Sequence, residues 1–239
     1  NNTSGFANTA LGQSALVLNT TGAVNTSVGA NALGSNTTGQ ANTAMGSSAL
    51  AINTIGNYNV ALGRQAMNDN STGSNNTAIG YYALVSNSSG RSNVAVGINA
   101  ARLNGAANNN VAVGDSTLFN NTVSNSVAVG SKALLSNTTG IQNTAIGFRA
   151  MQDNTIGQNN TALGAGTLEN NTTGSYNTGM GANALLTNTT GSSNTTTGDN
   201  AMRFNTTGTG NTANGANALF NNETGSRNTV WGRNALQSS

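Results

Sequence analysis

The 239-residue chain has 6% charged residues, eight Lys and Arg against six Asp and Glu, for a net charge of +2, where an ordinary soluble domain carries about 25%. It has no Pro, Cys or His, which excludes a disulfide framework, thiolate metal sites and the nucleophilic relays that depend on Cys or His. Arg64, Arg91, Arg102, Lys132, Arg149, Arg203, Arg227 and Arg233 are scattered rather than clustered, against a nucleic-acid interface, and no apolar run approaches the roughly 20 residues that span a bilayer.

The bias towards Asn, Thr, Gly and Ala resolves into a repeat. The chain opens mid-motif at Asn1-Asn2-Thr3-Ser4-Gly5, with no visible signal peptide. The first full element is Asn8-Thr9-Ala10-Leu11-Gly12. Its closing glycine recurs at Gly29, Gly46, Gly63, Gly80, Gly97, Gly114, Gly130, Gly147, Gly164, Gly181, Gly198, Gly215 and Gly232. The step is 17 residues throughout, except for 16 between Gly114 and Gly130, which makes fourteen copies. The residue four before the glycine is Asn in thirteen of the fourteen, Ser126 being the exception beside the deletion.

Asn-Thr-Ala-Leu-Gly alternates with period two and predicts a short strand. The expected inward positions are the third and first residues before the glycine. The first is aliphatic, as in Leu11, Val28, Met45, Leu62, Ile79, Val96, Val113, Val129, Ile146, Leu163 and Met180. At the third, Thr77 and Thr144 exchange with Val94, Val111 and Val127, the mark of a half-buried β-branched site. The glycine and two variable residues predict a turn, and Ala-Leu (Ala15-Leu16, Ala32-Leu33, Ala184-Leu185) predicts a second strand. Asn-Thr-Thr-Gly (Asn36 to Gly39, Asn188 to Gly191) predicts a second turn, with Gly supplying positive φ and Asn bonding its own backbone. The last copies replace the aliphatic residue with Thr197, Asn214 and Trp231, which predicts an altered core there. The array stops after Leu236 and reads as a window on a longer fibre: residues 1–239 as one continuous array without caps.

Two short strands and two turns in 17 residues describe one coil of a parallel β-solenoid, an all-β fold of fourteen coils. One coil cannot bury its own apolar residues; coils stacked at about 4.8 Å can, giving a rod of roughly 65 Å. Equivalent residues then form columns. The Asn columns, including Asn19, Asn36, Asn53, Asn70, Asn76, Asn93, Asn137 and Asn188, predict amide ladders, each side chain bonded to the rungs above and below. Ala44, Ala61, Ala78, Ala95 and Ala112, and likewise Ala133, Ala150 and Ala184, stay small where solvent-facing positions would drift polar. Either another chain's backbone approaches them, as in a homotrimer, or they pack inside a flattened monomeric coil; the first is our working expectation.

The segments Asn125-Ser126-Val127-Ala128-Val129-Gly130-Ser131-Lys132-Ala133 and Ser92-Asn93-Val94-Ala95-Val96-Gly97 resemble the head repeats of YadA-type trimeric autotransporter adhesins. The longer Asn-Thr-Ala-x-Gly-x-x-Ala-Leu-x-x-Asn-Thr-Thr-Gly unit is similar to shaft repeats of bacterial and phage tail-fibre-like proteins. The resemblance covers essentially the whole chain. It implies a left-handed β-roll, three chains side by side, and a surface fibre or adhesin. The adhesin repeat is usually shorter, so the turns here must be longer, and the segment holds no anchor, stalk or chaperone domain.

A catalytic reading finds little. Two carboxylates at glycosidase spacing need about 5–10 Å, and Asp69, Asp115, Asp153, Glu169, Asp199 and Glu223 fall on different rungs, with Asp153 and Glu169 nearest to one another. No cofactor or metal motif is present. Asn-x-Thr/Ser occurs as the glycosylation pattern, with Asn19, Asn36, Asn137 and Asn188 as candidates, though glycans every 4.8 Å or so would crowd. Regular Thr rows raise ice binding, which fails for the Thr before Ala if that position points inward. The expected function is a non-enzymatic structural or adhesive fibre or filament, extracellular or on a cell or virion surface. Its partners are other copies of itself, and further candidates are host-surface or matrix glycans met by variable turn residues such as Tyr81-Tyr82 and Phe148-Arg149. The alternative is an ice- or glycan-binding monomeric solenoid.

Overall fold

A computed structural model describes residues 2–237. The chain divides into two compact units, Asn1–Ser124 and Asn125–Ser239, and the boundary falls within the single 16-residue step. Each coil contributes one strand of three residues. In the first unit these are β1 (Thr9–Leu11), β2 (Thr26–Val28), β3 (Thr43–Met45), β4 (Val60–Leu62), β5 (Thr77–Ile79), β6 (Val94–Val96) and β7 (Val111–Val113). In the second they are β8 (Val127–Val129), β9 (Thr144–Ile146), β10 (Thr161–Leu163), β11 (Thr178–Met180), β12 (Thr195–Thr197), β13 (Thr212–Asn214) and β14 (Thr229–Trp231). Within each unit consecutive strands pair in parallel with like beside like. Thr43 pairs with Val60, Ala44 with Ala61 and Met45 with Leu62; Thr161 pairs with Thr178 and Leu163 with Met180. The fold is the expected all-β parallel solenoid, with no helix among the described residues.

Ala-Leu does not form the expected second strand. Leu16, Leu33, Leu50, Leu84 and their equivalents are left-handed, with φ between 47° and 53° for Leu33, Leu50, Leu84 and Leu168. A second left-handed column lies two residues after the strand-closing glycine (Ser14, Asn31, Ser48), and a third lies five before it (Ala7, Val24, Ala41). A left-handed residue other than Gly costs about 1–2 kcal/mol. The offset is visible in the backbone: Leu33 N donates to Ala49 O at 3.0 Å, and Asn31 N donates back to Gln13 O at 2.8 Å. Alternating handedness turns successive amides towards the coils on either side, so inter-coil bonding continues where no strand exists.

The left-handed Leu also decides what lies inside. In an extended strand neighbouring side chains point to opposite faces, but here Ala32 and Leu33, Ala49 and Leu50, and Ala184 and Leu185 are all fully buried as consecutive pairs. Each buried Leu or Met contributes about 1.5–3 kcal/mol of transfer free energy. Opposite this column only a methyl fits, so the middle residue of each strand is the inward one: Ala44, Ala61, Ala78, Ala95 and Ala112 are wholly inaccessible.

The inward sense expected of the strand is therefore reversed. The residues one and three before the glycine face outward, with Leu11 67%, Leu163 47% and Met45 46% exposed. The small Ala residues, including Ala133, Ala150 and Ala184, are small because the coil is thin, and they do not mark a neighbouring chain. Thr197, Asn214 and Trp231 likewise alter the outer face, not the core; Trp231 is 70% exposed while Val230 beside it is buried. The glycine of Asn-Thr-Thr-Gly is corrected too. Its φ is not positive. It is required because a Cβ on Gly39 would lie 2.5 Å from Gly56 O and 2.9 Å from Asn53 Nδ2.

Candidate functional surfaces: ladders, sheet face and turn edge

Both Asn columns form the expected ladders. In the turn column, Asn36 Nδ2 donates to Asn19 Oδ1 at 2.8 Å and to Gly39 O at 3.0 Å. Asn53 and Asn70 repeat the pattern, donating to Asn36 Oδ1 and Asn53 Oδ1. In the second unit Asn154 donates to Asn137 Oδ1, and Asn188 to Asn171 Oδ1, both at 2.8 Å. The strand-side column works differently. Asn93 N and Nδ2 both donate to Asn76 Oδ1, and Asn93 Nδ2 reaches across the coil to Ala107 O at 2.8 Å. Asn76 does the same with Asn59 Oδ1 and Gly90 O. A third ladder, not foreseen, runs beside the turn column: Thr20 Oγ1 donates to Thr37 O, Thr37 Oγ1 to Thr54 O and Thr54 Oγ1 to Ser71 O, at 2.9–3.0 Å. Its signal was the recurrence of Thr or Ser directly after the turn Asn.

These ladders bear on the sequons. Asn19, Asn36, Asn137 and Asn188 are at most 1% exposed. Asn19 Nδ2 donates to Asn2 Oδ1 and Gly22 O, and Asn188 Nδ2 to Asn171 Oδ1 and Gly191 O. A glycan on such a nitrogen would replace one of those donors and has no path to solvent in the folded coil.

The nearest pair of acidic residues is not a free carboxylate pair. Asp153 N donates to Glu169 O at 2.9 Å, which places the two on adjacent rungs as expected, but the Glu169 carboxylate is held by Arg149 Nη1 at 3.5 Å. No group of three or more His, Cys, Asp or Glu that could hold a metal occurs among the described residues.

Two surfaces remain. The first is the outer face of the strands. Its two rows, one and three residues before each glycine, hold no charged residue at any of 28 positions (two in each of fourteen coils). One row is Thr in ten coils and Val in four; the other is aliphatic in eleven. Soluble surfaces are normally salted with Lys and Glu, so the uncharged, partly apolar face within each unit is a candidate for association.

The second surface is the turn edge after the glycine, where aromatic rings and arginines meet. Arg64 lies over the Tyr81 ring at 5.7 Å, and Arg102 lies over Tyr82 at 4.7 Å and Phe119 at 5.5 Å, all within cation–π range. The Tyr81 and Tyr82 centroids are 4.0 Å apart at 44°. The neighbouring Tyr82 hydroxyl and partial desolvation push the Tyr81 phenol above its ordinary 10.0. In the second unit Arg149 lies over Phe148, Arg203 over Phe204, and Phe204 meets Phe220 edge-on at 5.0 Å. Only Tyr81-Tyr82 and Phe148-Arg149 stood out in the sequence. The other pairings were legible in principle, because Arg64 and Tyr81, and Arg102 and Phe119, are one 17-residue step apart.

Comparison with protein-family models, with characterised proteins and with solved structures gave no match.

Proposed function

We propose that this chain is a segment of a non-enzymatic, self-associating structural or adhesive fibre, extracellular or displayed on a surface, with three copies joined along their length through the outer face of the strands. The observation that carries this reading is the pair of uncharged rows on that face, with Leu11, Met45, Ile79, Ile146, Leu163 and Met180 each at least 38% exposed. Burying such rows stabilises association by about 25 cal/mol per Å² of apolar surface. The occupant is another copy because the rows repeat at the solenoid's own rung spacing. A surface of matching period along its whole length is the same face of the same chain, and identical subunits close most simply by rotation. The resemblance to trimeric adhesin head repeats supports three copies. In sedimentation or light scattering the protein should run at three times its 23.8 kDa. The double variant Ile79→Lys, Ile146→Lys should run as a monomer, because burying an unpaired Lys costs several kcal/mol. A clean monomer at micromolar concentration, or an unchanged assembly in the double variant, would refute the proposal.

A second reading rests on one observation: the Thr row before Ala faces outward, so the objection to an ice-binding array fails. If the chain is monomeric and its solution shows thermal hysteresis that the Thr77→Lys, Thr144→Lys variant abolishes, the face binds ice and not itself. A monomer without hysteresis removes both readings.

A further inference from the structure

We infer that Thr197, Asn214 and Trp231 set the register in which copies of this chain lie side by side, each residue facing its own equivalent in a second copy. This rests on the self-association proposed above and adds to it which alignment of the copies is selected.

A repeat makes register a problem. Coils follow one another at about 4.8 Å. If a neighbouring copy slides by one rung, one aliphatic residue is exchanged for another and Thr for Thr, so a uniform face holds its partner without fixing where it sits. In the first unit the row before the glycine is aliphatic in all seven coils, from Leu11 to Val113. In the second unit the row three before the glycine is Thr in six consecutive coils, from Thr144 to Thr229. Val60, Val94, Val111 and Val127 keep the shape of the Thr they replace and distinguish rungs by a hydroxyl alone. A slipped contact also fails to close: rotation combined with translation generates an open array, and only the unslipped alignment closes on itself.

The row before the glycine is interrupted at one place. Thr197, Asn214 and Trp231 stand in the three consecutive strands β12 to β14, with Thr197 paired to Asn214 and Asn214 to Trp231. All three point outward, because Thr196, Ala213 and Val230 beside them are buried. The coil does not demand them, since β10 and β11 form with Leu163 and Met180 at the same position. Nor is their polarity used within the chain. Among the described residues the Thr197 hydroxyl and the Asn214 amide make no hydrogen bond. Asn211, three residues before Asn214, instead donates to Gly225 O at 2.7 Å and accepts from Asn228 N at 2.9 Å. In the unslipped alignment Asn214 meets Asn214, and an amide carries both the donor and the acceptor needed to bond its own copy. A slip of one rung sets one copy's Asn214 against the other's Trp231, and one copy's Met180 against the other's Thr197. Polar groups then face apolar surface without partners, which is unfavourable. A polar residue that aligns an otherwise uniform apolar seam is the device by which a single Asn fixes register in coiled coils.

The chain has no cysteine, so Ala182→Cys, at an exposed turn position of the second unit, carries one nitroxide per copy. Pulsed dipolar spectroscopy on the assembled intact chain should give one narrow spin–spin distance. The variant Thr197→Val, Asn214→Leu, Trp231→Leu makes the row uniform with residues that the repeat itself places there (Val129, Leu163), so circular dichroism should be unchanged. That variant should stay assembled but give several distances, from copies displaced along the stack by steps of about 4.8 Å, and a broadened mass distribution in light scattering. Ile146→Val, which keeps the row aliphatic, should leave the single distance intact. Several distances with the native row, or a single distance retained by the triple variant, would overturn the register assignment while leaving self-association standing. Dissociation of the triple variant would overturn it too, since the three residues would then hold the copies together and not align them. A monomeric parent chain would instead refute the self-association reading, and this inference with it.

Discussion

Replacing Asn53 with Ala is expected to lower the unfolding free energy by about 2–6 kcal/mol, although Ala is the better solution for an apolar interior and the position is wholly buried. The reason is the ladder. Asn53 Nδ2 donates to Asn36 Oδ1 at 2.8 Å and to Gly56 O at 3.1 Å, and its Oδ1 accepts from Asn70 Nδ2 at 2.9 Å. Truncation leaves Asn36 Oδ1 without its donor, at about 1–3 kcal/mol, and takes one of two bonds from Gly56 O, which keeps Asn42 Nδ2 at 2.8 Å, and from Asn70 Nδ2, which keeps Gly73 O at 3.1 Å, at about 0.5–1.5 kcal/mol each. The charged analogue Asn53→Asp should cost more, since it keeps the acceptors but loses both donors and places a charge against Asn36 Oδ1. Gln13→Ala, at an exposed turn, should stay within about 0.5 kcal/mol. Urea denaturation of the three variants decides the matter. If Asn53→Ala behaves like Gln13→Ala, the ladder is decoration and the Leu column alone holds the coils.

Gly46→Ala should destabilise by a similar amount, about 3–6 kcal/mol, through the backbone and not through any lost bond. The φ of Gly46 is +133°, and a Cβ there would meet Gly63 C and O at 2.6 Å and Arg64 N at 3.0 Å. These atoms are backbone of the next coil and cannot yield without opening the stack. Gly105→Ala is the matched control: its φ is +63° and nothing lies within 4 Å of the added carbon. It should cost only the left-handed penalty of about 1–2 kcal/mol. Equal melting shifts for the two variants would show that the cost is conformational alone and that close approach between coils contributes nothing.

Much of this architecture could be read from the residues. Recurrence of Gly at a fixed interval specified the coil, and recurrence of Asn at two places within it specified two ladders. The Asn amide is short and carries both a donor and an acceptor, so it can bond identical copies of itself above and below. The handedness of individual residues could not be read. Leu in the left-handed region is rare, so Ala-Leu looked like a strand and the period-two rule then placed Leu11, Ile79 and Val96 inside. Once Leu33 and Leu50 are left-handed and buried, the space opposite admits only Ala, and the strand must turn its larger residues out.

The sequence by itself determined the period, the parallel stack and the ladders, because each follows from what recurs and needs no knowledge of where a side chain points. The tertiary structure decided the direction: which face of each strand is core, and which rungs bring Arg64 to Tyr81 and Arg102 to Phe119. That choice is made by packing volume across a thin coil, a quantity belonging to the closed loop and to no local stretch of the chain. It turned the aliphatic and Thr rows from core into surface.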